Sequence, residues 1–273
     1  MAVITISRQV AALGDEIAAA VAEKMHYKFI DRKVIEQRII DLGFPADKLK
    51  KYDEKKPGFF ASLAKDRDEY LDYLQTAVLE AASEDNCILI GRGSFIILED
   101  IPNLVSVRFV AKNAVRLERL MKEFSWDEKQ AQQRINESDA NRMGFHKSFF
   151  NLDNASPDHF HLVMNTGVLD IEAASSIITG LCAHIVTPQK EAEGKKKIAE
   201  LLAAQRLVNA LVFEHKLNIN FLKAVICGDK VILQGVADSS ALAEKATAIA
   251  STLMKGYTVE SAISVVQDFK AYP

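Results

Sequence analysis

The chain has 273 residues, 49% of them hydrophobic, so it is long enough to bury one large core or two smaller ones. Its formal net charge is −3 and its pI is about 6.1, which predicts no global attraction to nucleic acid or to an acidic membrane surface. The three cysteines lie in apolar segments without a CxxC pair, and this favours buried, reduced thiols over a disulfide or a metal site. The first residues have the pattern of a strand rather than a secretory signal, and charges interrupt every apolar run before it reaches membrane-spanning length. We therefore expect a cytoplasmic protein without a membrane span.

Up to about residue 186, short strand-like segments alternate with helical ones. The predicted strands are Val3–Ile6, Tyr27–Ile30, Cys87–Ile90, Val105–Val110 and Leu162–Met164. The predicted helices are Asp15–Met25, Arg32–Leu42, Ala61–Ala82, Ala114–Glu123, Asp127–Met143 and Ile171–Ile185, with a loop around Tyr52–Phe60. Short apolar strands separated by helices are typical of a parallel sheet covered by helices on both faces. The pattern predicts a three-layer α/β domain over residues 1–186.

A charged segment at 187–197, which contains one Pro, one Gly and three consecutive lysines, predicts an interdomain linker. After it the order of elements changes to αββαβ. The predicted elements are a helix at Ile198–Lys216, strands at Leu222–Cys227 and Lys230–Val236, a helix at Ser239–Met254 and a strand at Ser261–Val266. The turn at Gly228-Asp229 between two β-branched runs indicates a hairpin. We predict a second, small α+β domain over residues 198–273.

The junction after the first strand, residues 6–17, has the order of a phosphate site. A strand, a loop and a helix N-terminus present free backbone N–H groups and the positive end of the helix dipole to an anion. Arg8 lies at the end of the strand and Gly14 at the start of the helix. A working phosphate loop also has a Lys and a Ser or Thr, and here Asp15 and Glu16 stand in their place. The segment alone fits phosphate binding and an ordinary strand-to-helix turn equally well.

A second candidate is Gly91-Arg92-Gly93 at the end of a predicted strand. Ligands of open parallel sheets collect at the carboxyl ends of the strands, where a guanidinium between two glycines is able to bind an anion. A mobile surface turn explains these residues equally well.

The helix at 127–143 carries Arg134, Asp139 and Arg142 and is followed by His146 and Lys147. A cationic lid over transferred phosphates is one interpretation, because the transition state of phosphoryl transfer concentrates negative charge there. A solvated, charged helix is the alternative. His159 and His161 have no third ligand at suitable spacing, so we expect no metal site.

Five segments taken in chain order resemble the cytidylate kinase-like family, a branch of the nucleoside monophosphate kinases. They are Ile4-Thr-Ile-Ser-Arg-Gln9, Phe29-Ile-Asp-Arg32, Leu89-Ile-Gly-Arg-Gly93, Asp139-x-x-Arg142, and Asn165-Thr166 with Leu169-x-Ile-Glu172. The resemblance covers about residues 3–185 and implies a parallel-sheet P-loop kinase-like domain. It also implies ATP and Mg²⁺ as cofactors if the protein is an active enzyme.

The resemblance assigns roles to particular residues. The implied nucleotide- and phosphate-binding residues are Arg8, Gly14, Arg32, Gly91, Gly93, Asp139 and Asn165, and the implied catalytic residues are Arg92 and Arg142. Arg32 and Arg92 would hold the acceptor nucleotide. Arg142, positioned by Asp139, would bridge the donor and acceptor phosphates, and Asn165 would lie near the donor base.

The phosphate loop departs from the family pattern. The family has a glycine-rich loop followed by a cation, whereas this chain has Ala11-Ala12-Leu13-Gly14 followed by Asp15. Added Cβ atoms restrict positive φ and close backbone approach, and a carboxylate repels phosphate. We therefore expect a protein that binds a nucleotide or another small anion and has weak or absent phosphoryl transfer. The alternative is an active ATP-dependent kinase that phosphorylates CMP or another small acceptor.

The C-terminal stretch resembles the BON domain, a small αββαβ module. The resemblance rests on 226–236 and on Gly256-Tyr-Thr-Val259 before the last strand. It implies a binding role without catalytic residues, and hence a protein or ligand partner for this domain. A generic αββαβ accessory domain fits the same residues.

Overall fold

A computed structural model describes residues 2–49, Tyr52 and 65–266. The chain forms two compact units that divide between Lys196 and Lys197. The predicted loop Tyr52–Phe60, apart from Tyr52, and the start of the predicted helix Ala61–Ala82 lie outside the described residues. The division into independently folding domains at 1–186 and 198–273 stays a prediction.

A five-stranded parallel sheet forms the centre of the first unit. Its strands are β1 (Val3–Arg8), β2 (Lys28–Ile30), β3 (Cys87–Ile90), β4 (Leu104–Val110) and β5 (Leu162–Asn165), in the spatial order β2-β3-β1-β4-β5. Nearly every residue of β1, β3 and β4 is buried, as expected of strands covered on both faces. The predicted parallel α/β core is confirmed.

Eight helices connect and cover these strands in the described part of the unit. They are α1 (Gly14–Met25), α2 (Arg32–Asp41), α3 (Ala46–Leu49), α4 (Lys65–Ser83), α5 (Ser94–Ile97), α6 (Asn113–Phe124), α7 (Glu128–Phe150) and α8 (Ile171–Ile185). The single-turn helices α3 and α5 were not predicted, because four residues show no helical periodicity. Helix α7 ends at Phe150 rather than Met143, since Phe145 and Phe149 continue its buried face.

The two faces of the sheet differ in chemistry. On one face, α1 and α8 pack on an apolar layer that includes Ile4, Ile6 and Phe109. On the other face, β1 and β4 place polar residues in register. Thr5 lies beside Ser106 and Ser7 beside Arg108, and all four are buried. These buried polar side chains make this face of the sheet different from an ordinary apolar core.

The second unit contains the predicted αββαβ order. Helix α9 (Pro188–Asn209), which begins in the first unit, continues into a π-helical turn at Ala210–Glu214, and then come β6 (Asn220–Cys227), β7 (Lys230–Ala237), α10 (Ser240–Leu253) and β8 (Thr258–Val265). The hairpin β6-β7 is antiparallel, while β8 pairs parallel to β7 after the α10 crossover.

Among the described residues no single helix is long and apolar enough to cross a membrane, and only α8 and α9 taken together as a bent pair reach that length and composition.

The segment 187–197, which we predicted to be an interdomain linker, is helical from Pro188. Its charged residues are good helix formers, Pro188 occupies the first helical position, and the Thr187 hydroxyl accepts a hydrogen bond from the Lys190 N–H at 3.3 Å. Lys195 Nζ lies 2.9 Å from Asp85 Oδ2. High charge density alone therefore did not distinguish a linker from an exposed helix.

Candidate functional site

Three of the predicted segments meet at the carboxyl edge of the sheet. The β1 strand ends at Arg8, the neighbouring β3 leads into Gly91, and the N–H of Gly91 donates to the Ile6 carbonyl at 2.9 Å. On the other side of β1, β4 and then β5 bring Asn165 to the same edge. Parallel strands place their carboxyl ends together, and ligands of such sheets bind there.

The phosphate-loop segment holds two non-glycine residues in the left-handed conformation. Ala11 has φ 56° and Leu13 has φ 54°, where a side chain costs about 1–2 kcal/mol relative to the ordinary helical region. Leu13 is the N-cap of α1 and supplies no side-chain hydrogen bond to the helix end. The backbone thus takes the conformations for which glycine is suited, although glycine is present only at Gly14.

Arg8 and Gly14 are brought together, as the sequence predicts. A Cβ atom on Gly14 would lie 2.7 Å from Cβ and Cγ of Arg8, so only glycine fits beneath that side chain. The Nε of Arg8 lies 3.5 Å from Oδ2 of Asp15, whose side chain is 59% exposed. The cation at the mouth of the loop therefore faces a carboxylate of its own chain.

Two arginines of α6 bind the carbonyl groups of the same loop. Arg116 Nε donates to the Val10 carbonyl and Arg119 Nη1 to the Ala11 carbonyl, each at 2.9 Å. Arg119 Nη2 also donates to the carbonyl of Thr166 at 2.6 Å, which ties the loop to the segment after β5. Sequence reasoning missed both residues, although their i,i+3 spacing on one amphipathic helix was the available signal.

Asp139 has a different partner from the one that the resemblance implies. It accepts two hydrogen bonds from Arg116, at 2.9 and 2.8 Å, in a bidentate ion pair. Arg142 donates instead to the hydroxyl of Ser138, and its carbonyl oxygen lies 2.7 Å from Nδ1 of His146. Asp139 thus positions Arg116 rather than Arg142. The role of Arg142 over a phosphate stays a prediction.

Arg92 is buried and lies among polar partners. Its side chain is 1% exposed, and Nη1 donates to the Tyr52 carbonyl at 3.0 Å and the Tyr70 hydroxyl at 3.2 Å. Its Nη2 forms an ion pair with Oε1 of Glu36, which also accepts from Arg32 Nε at 2.8 Å. Arg32 and Arg92 therefore converge as the sequence predicts, but on a carboxylate of the chain itself. A ligand reaches Arg92 only if Glu36 moves.

The Gly91-Arg92-Gly93 turn is a packed structural element rather than a mobile surface turn. All three residues have positive φ, at 78°, 55° and 68°. A Cβ on Gly93 would lie 2.5 Å from the ring of Phe150 at the end of α7. Both glycines are needed for conformation, and Gly93 is needed for space as well.

Arg108 is a buried cation that sequence reasoning missed. Its Nη1 donates to the Ser7 hydroxyl at 3.0 Å, and its guanidinium carbon lies 5.6 Å from the centre of the Phe160 ring. Burial lowers the pKa of the Arg108 guanidinium, while the carboxylates of Asp139 and Asp153 act in the opposite direction. The signal was an arginine at an inward position of an otherwise apolar strand.

Asn165 and His161 both have structural contacts. The Asn165 side-chain carbonyl accepts the N–H of Gly167 at 2.9 Å and closes the turn after β5. Nδ1 of His161 lies 2.9 Å from the N–H of Ser106, and burial lowers the pKa of this histidine. Over the described ranges no group of three His, Cys, Asp or Glu side chains is arranged to hold a metal ion.

The loop does not fit a complete Mg²⁺–ATP site. The β- and γ-phosphates need a cation and Mg²⁺ needs a hydroxyl ligand at the start of α1, and Asp15 and Glu16 stand there. Arg8, the cation beside the loop, faces Asp15. The first-turn N–H groups of α1 are still able to bind an anion, but with two carboxylates beside them.

The sequence model of the cytidylate kinase-like family matches residues 3–168, more than half of the chain. No curated protein matches the chain. Among solved structures, an uncharacterized protein from Eubacterium ventriosum is similar, with a TM-score of 0.53, 18% identity, and coverage of 67% of this chain and 99% of that one. A shikimate kinase from Bacteroides thetaiotaomicron aligns with a TM-score of 0.43 and 14% identity, covering 67% of this chain and 98% of that one. At 18% identity the first of these structures establishes a shared fold alone.

Proposed function

The chain belongs to the cytidylate kinase-like family, and from this premise we propose that it is a nucleotide-binding protein with weak or absent phosphoryl transfer. The kinase-like parallel-sheet core provides the scaffold. The observation that carries the proposal is the pairing of Arg8 with Asp15 at the start of α1. A phosphate that approaches this helix end meets a neutralised cation and a carboxylate in place of the usual cationic loop.

The acceptor side supports the same proposal. Arg32 and Arg92 form ion pairs with Glu36, so an incoming anion must displace that carboxylate. Arg92 is fully buried, and separating a buried ion pair costs several kcal/mol. Binding of a small anion remains chemically reasonable here, because cations already converge on one point. Fast phosphoryl transfer requires these cations to be available when negative charge develops in the transition state.

A coupled assay with CMP, ATP and Mg²⁺ tests the proposal. An ordinary kinase turns over about ten times per second, and loss of one preorganised charge contact costs about 10²–10³-fold. We therefore expect about 0.01–0.1 turnovers per second or fewer, together with a rise in melting temperature when ATP or CMP is added. A turnover near ten per second would establish the active kinase instead, and the absence of any nucleotide-dependent shift would reject nucleotide binding.

For the second unit we infer a BON-like binding module. The support is the α-β-β-α-β order with an antiparallel hairpin and a parallel crossover, in addition to the sequence resemblance. A fragment of residues 198–273 should give dispersed amide NMR signals if this is an independent domain. Random-coil signals would show that the unit depends on the rest of the chain and is not a separate module.

A further inference from the structure

The polar face of the central sheet carries a buried stripe that the proposed function does not use. Ser7 and Thr5 of β1 lie in register with Arg108 and Ser106 of β4. The hydroxyl of Thr5 is fully buried and has no hydrogen-bond partner in the described part of the chain. An unsatisfied buried hydroxyl lowers the stability of the folded state, because it loses its hydrogen bonds to water without replacing them. A core built only for stability would place apolar side chains at these positions.

The charge of Arg108 is balanced less directly than that of the other buried arginines. Arg116 has the bidentate contact with Asp139, and Arg92 has Glu36. Arg108 donates one hydrogen bond, to a neutral hydroxyl, and lies over an aromatic ring. No carboxylate among the described residues lies within salt-bridge distance of its guanidinium.

The carboxylates that act on Arg108 from a distance have other partners. Asp139 receives both of its hydrogen bonds from Arg116. Asp153 accepts the backbone N–H of Ala155 at 2.9 Å. Their charges reduce the cost of burying Arg108 without using its donors. The guanidinium nitrogens that lack a partner are not fully enclosed, in contrast to the Thr5 hydroxyl.

Arg108 is only 7% exposed and has no directly paired anion, and burial of a charge without a direct partner is costly. Replacement of such a group by an apolar side chain of similar volume is often neutral or stabilising. Costly groups of this kind are concentrated at binding sites. The remaining donors of Arg108 form a planar fork that matches the oxygen atoms of a phosphate.

We propose that Arg108, supported by Ser7, is the anchor of a phosphate-binding site on the polar face of the sheet, which takes the monoester phosphate of a small acceptor. The site is distinct from the start of α1, because α1 packs on the opposite face of the sheet. The identification of the ligand as an acceptor phosphate rests on the proposed function. The presence of an anion site at Arg108 does not depend on the proposed function.

Arg108→Met tests the site, with Arg206→Met as a matched control because Arg206 is an exposed arginine of α9 outside the candidate site. Inorganic phosphate and CMP should raise the melting temperature of the wild-type protein and of the control, whereas cytidine should not. In Arg108→Met we expect the unliganded melting temperature to be unchanged or higher. CMP should bind it about 10- to 100-fold more weakly, the range for a hydrogen bond to a charged group.

A structural role for Arg108 predicts the reverse: a lower melting temperature in Arg108→Met with an undiminished response to phosphate. That result would overturn the inference. If Arg108→Met does not fold, Arg108→Lys decides, because Lys keeps the charge and loses the fork. It should weaken phosphate binding, and unchanged affinity would reject the site.

The proposed function and this inference fail separately. If ATP and CMP bind wild type and Arg108→Met equally well, the function stands and the Arg108 site does not exist. If neither nucleotide binds the wild type, the proposed function fails, and the response to inorganic phosphate alone decides on Arg108. A phosphate response that is lost in Arg108→Met and kept in Arg206→Met supports the site in either case.

Discussion

Removal of the Asp15 carboxylate should strengthen ATP binding. Two negative charges on a phosphate at about 4 Å from a carboxylate are repelled by about 2 kcal/mol in the dielectric of water, and salt at physiological strength reduces this to about 1 kcal/mol. Asp15→Asn should therefore bind ATP about 30-fold more tightly at low salt and about fivefold more tightly at physiological salt. Loss of a favourable helix-dipole contact and an exposed ion pair costs about 0.5–2 kcal/mol, so the variant should remain folded.

Isothermal titration with ATP at two salt concentrations measures this effect. The matched control is Glu23→Gln, which removes the same charge from the exposed face of α1 near its other end. It should leave the dissociation constant for ATP unchanged. Equal affinities of wild type and Asp15→Asn would show that Asp15 does not face a bound phosphate. An equal gain in both variants would mean that only net charge matters. Either result would show that Asp15 does not weaken ATP binding by direct repulsion of a bound phosphate.

Other measurements probe the scaffold. Gly93→Ala should lower the free energy of unfolding in urea by about 2–4 kcal/mol, because it combines a left-handed alanine with a 2.5 Å approach to Phe150; a loss below 1 kcal/mol would contradict that packing. Burial raises the pKa of Cys87 to about 12 and of Cys182 to about 11, whereas Cys227 is exposed. An alkylating reagent at pH 8 should therefore modify Cys227 alone, and mass spectrometry of the protein's peptides measures this. Trypsin should not cleave early after the three consecutive lysines of α9, because helical backbone resists cleavage. Early cleavage there would show that the helix does not persist.

The parallel core could be predicted because its strands carry an unambiguous signal. Cys87–Ile90 is a continuous apolar run and Val3–Ile6 is nearly so, and such runs between helical segments have few alternative folds. The helix at Ile171–Ile185 was predicted with its observed ends, since Asp170 is a strong N-cap and its side chain accepts the Ala173 N–H at 2.8 Å. Only the first part of α9 was missed, because the charged residues at 188–197 were interpreted as a linker although they are good helix formers.

The candidate site was predictable only in outline. Chain order places Arg8, Arg92 and Asn165 at one edge of a parallel sheet, and the structure has them there. The burial of Arg92 depends on partners that are distant from it in sequence. The groups that enclose Arg92 come from the α2 and α4 regions, more than twenty residues away. The paired state of a charge is a tertiary property, and a local motif carries no information about it. Arg108 was missed for the same reason.

The paired arginines differ in how readily they release their carboxylates, and this difference determines where activity is best restored. The Arg8–Asp15 pair is partly exposed, so it contributes at most about 1 kcal/mol and opens at little cost. Arg92 is buried, and removal of Glu36 would leave an uncompensated charge that costs about 3–5 kcal/mol. Substitution at Asp15 therefore removes a competing carboxylate from the loop while the fold is kept. Substitution at Glu36 removes one at the expense of stability. A stepwise reconstruction of kinase activity should begin at the loop, because there the ligand competes with a carboxylate that water already screens.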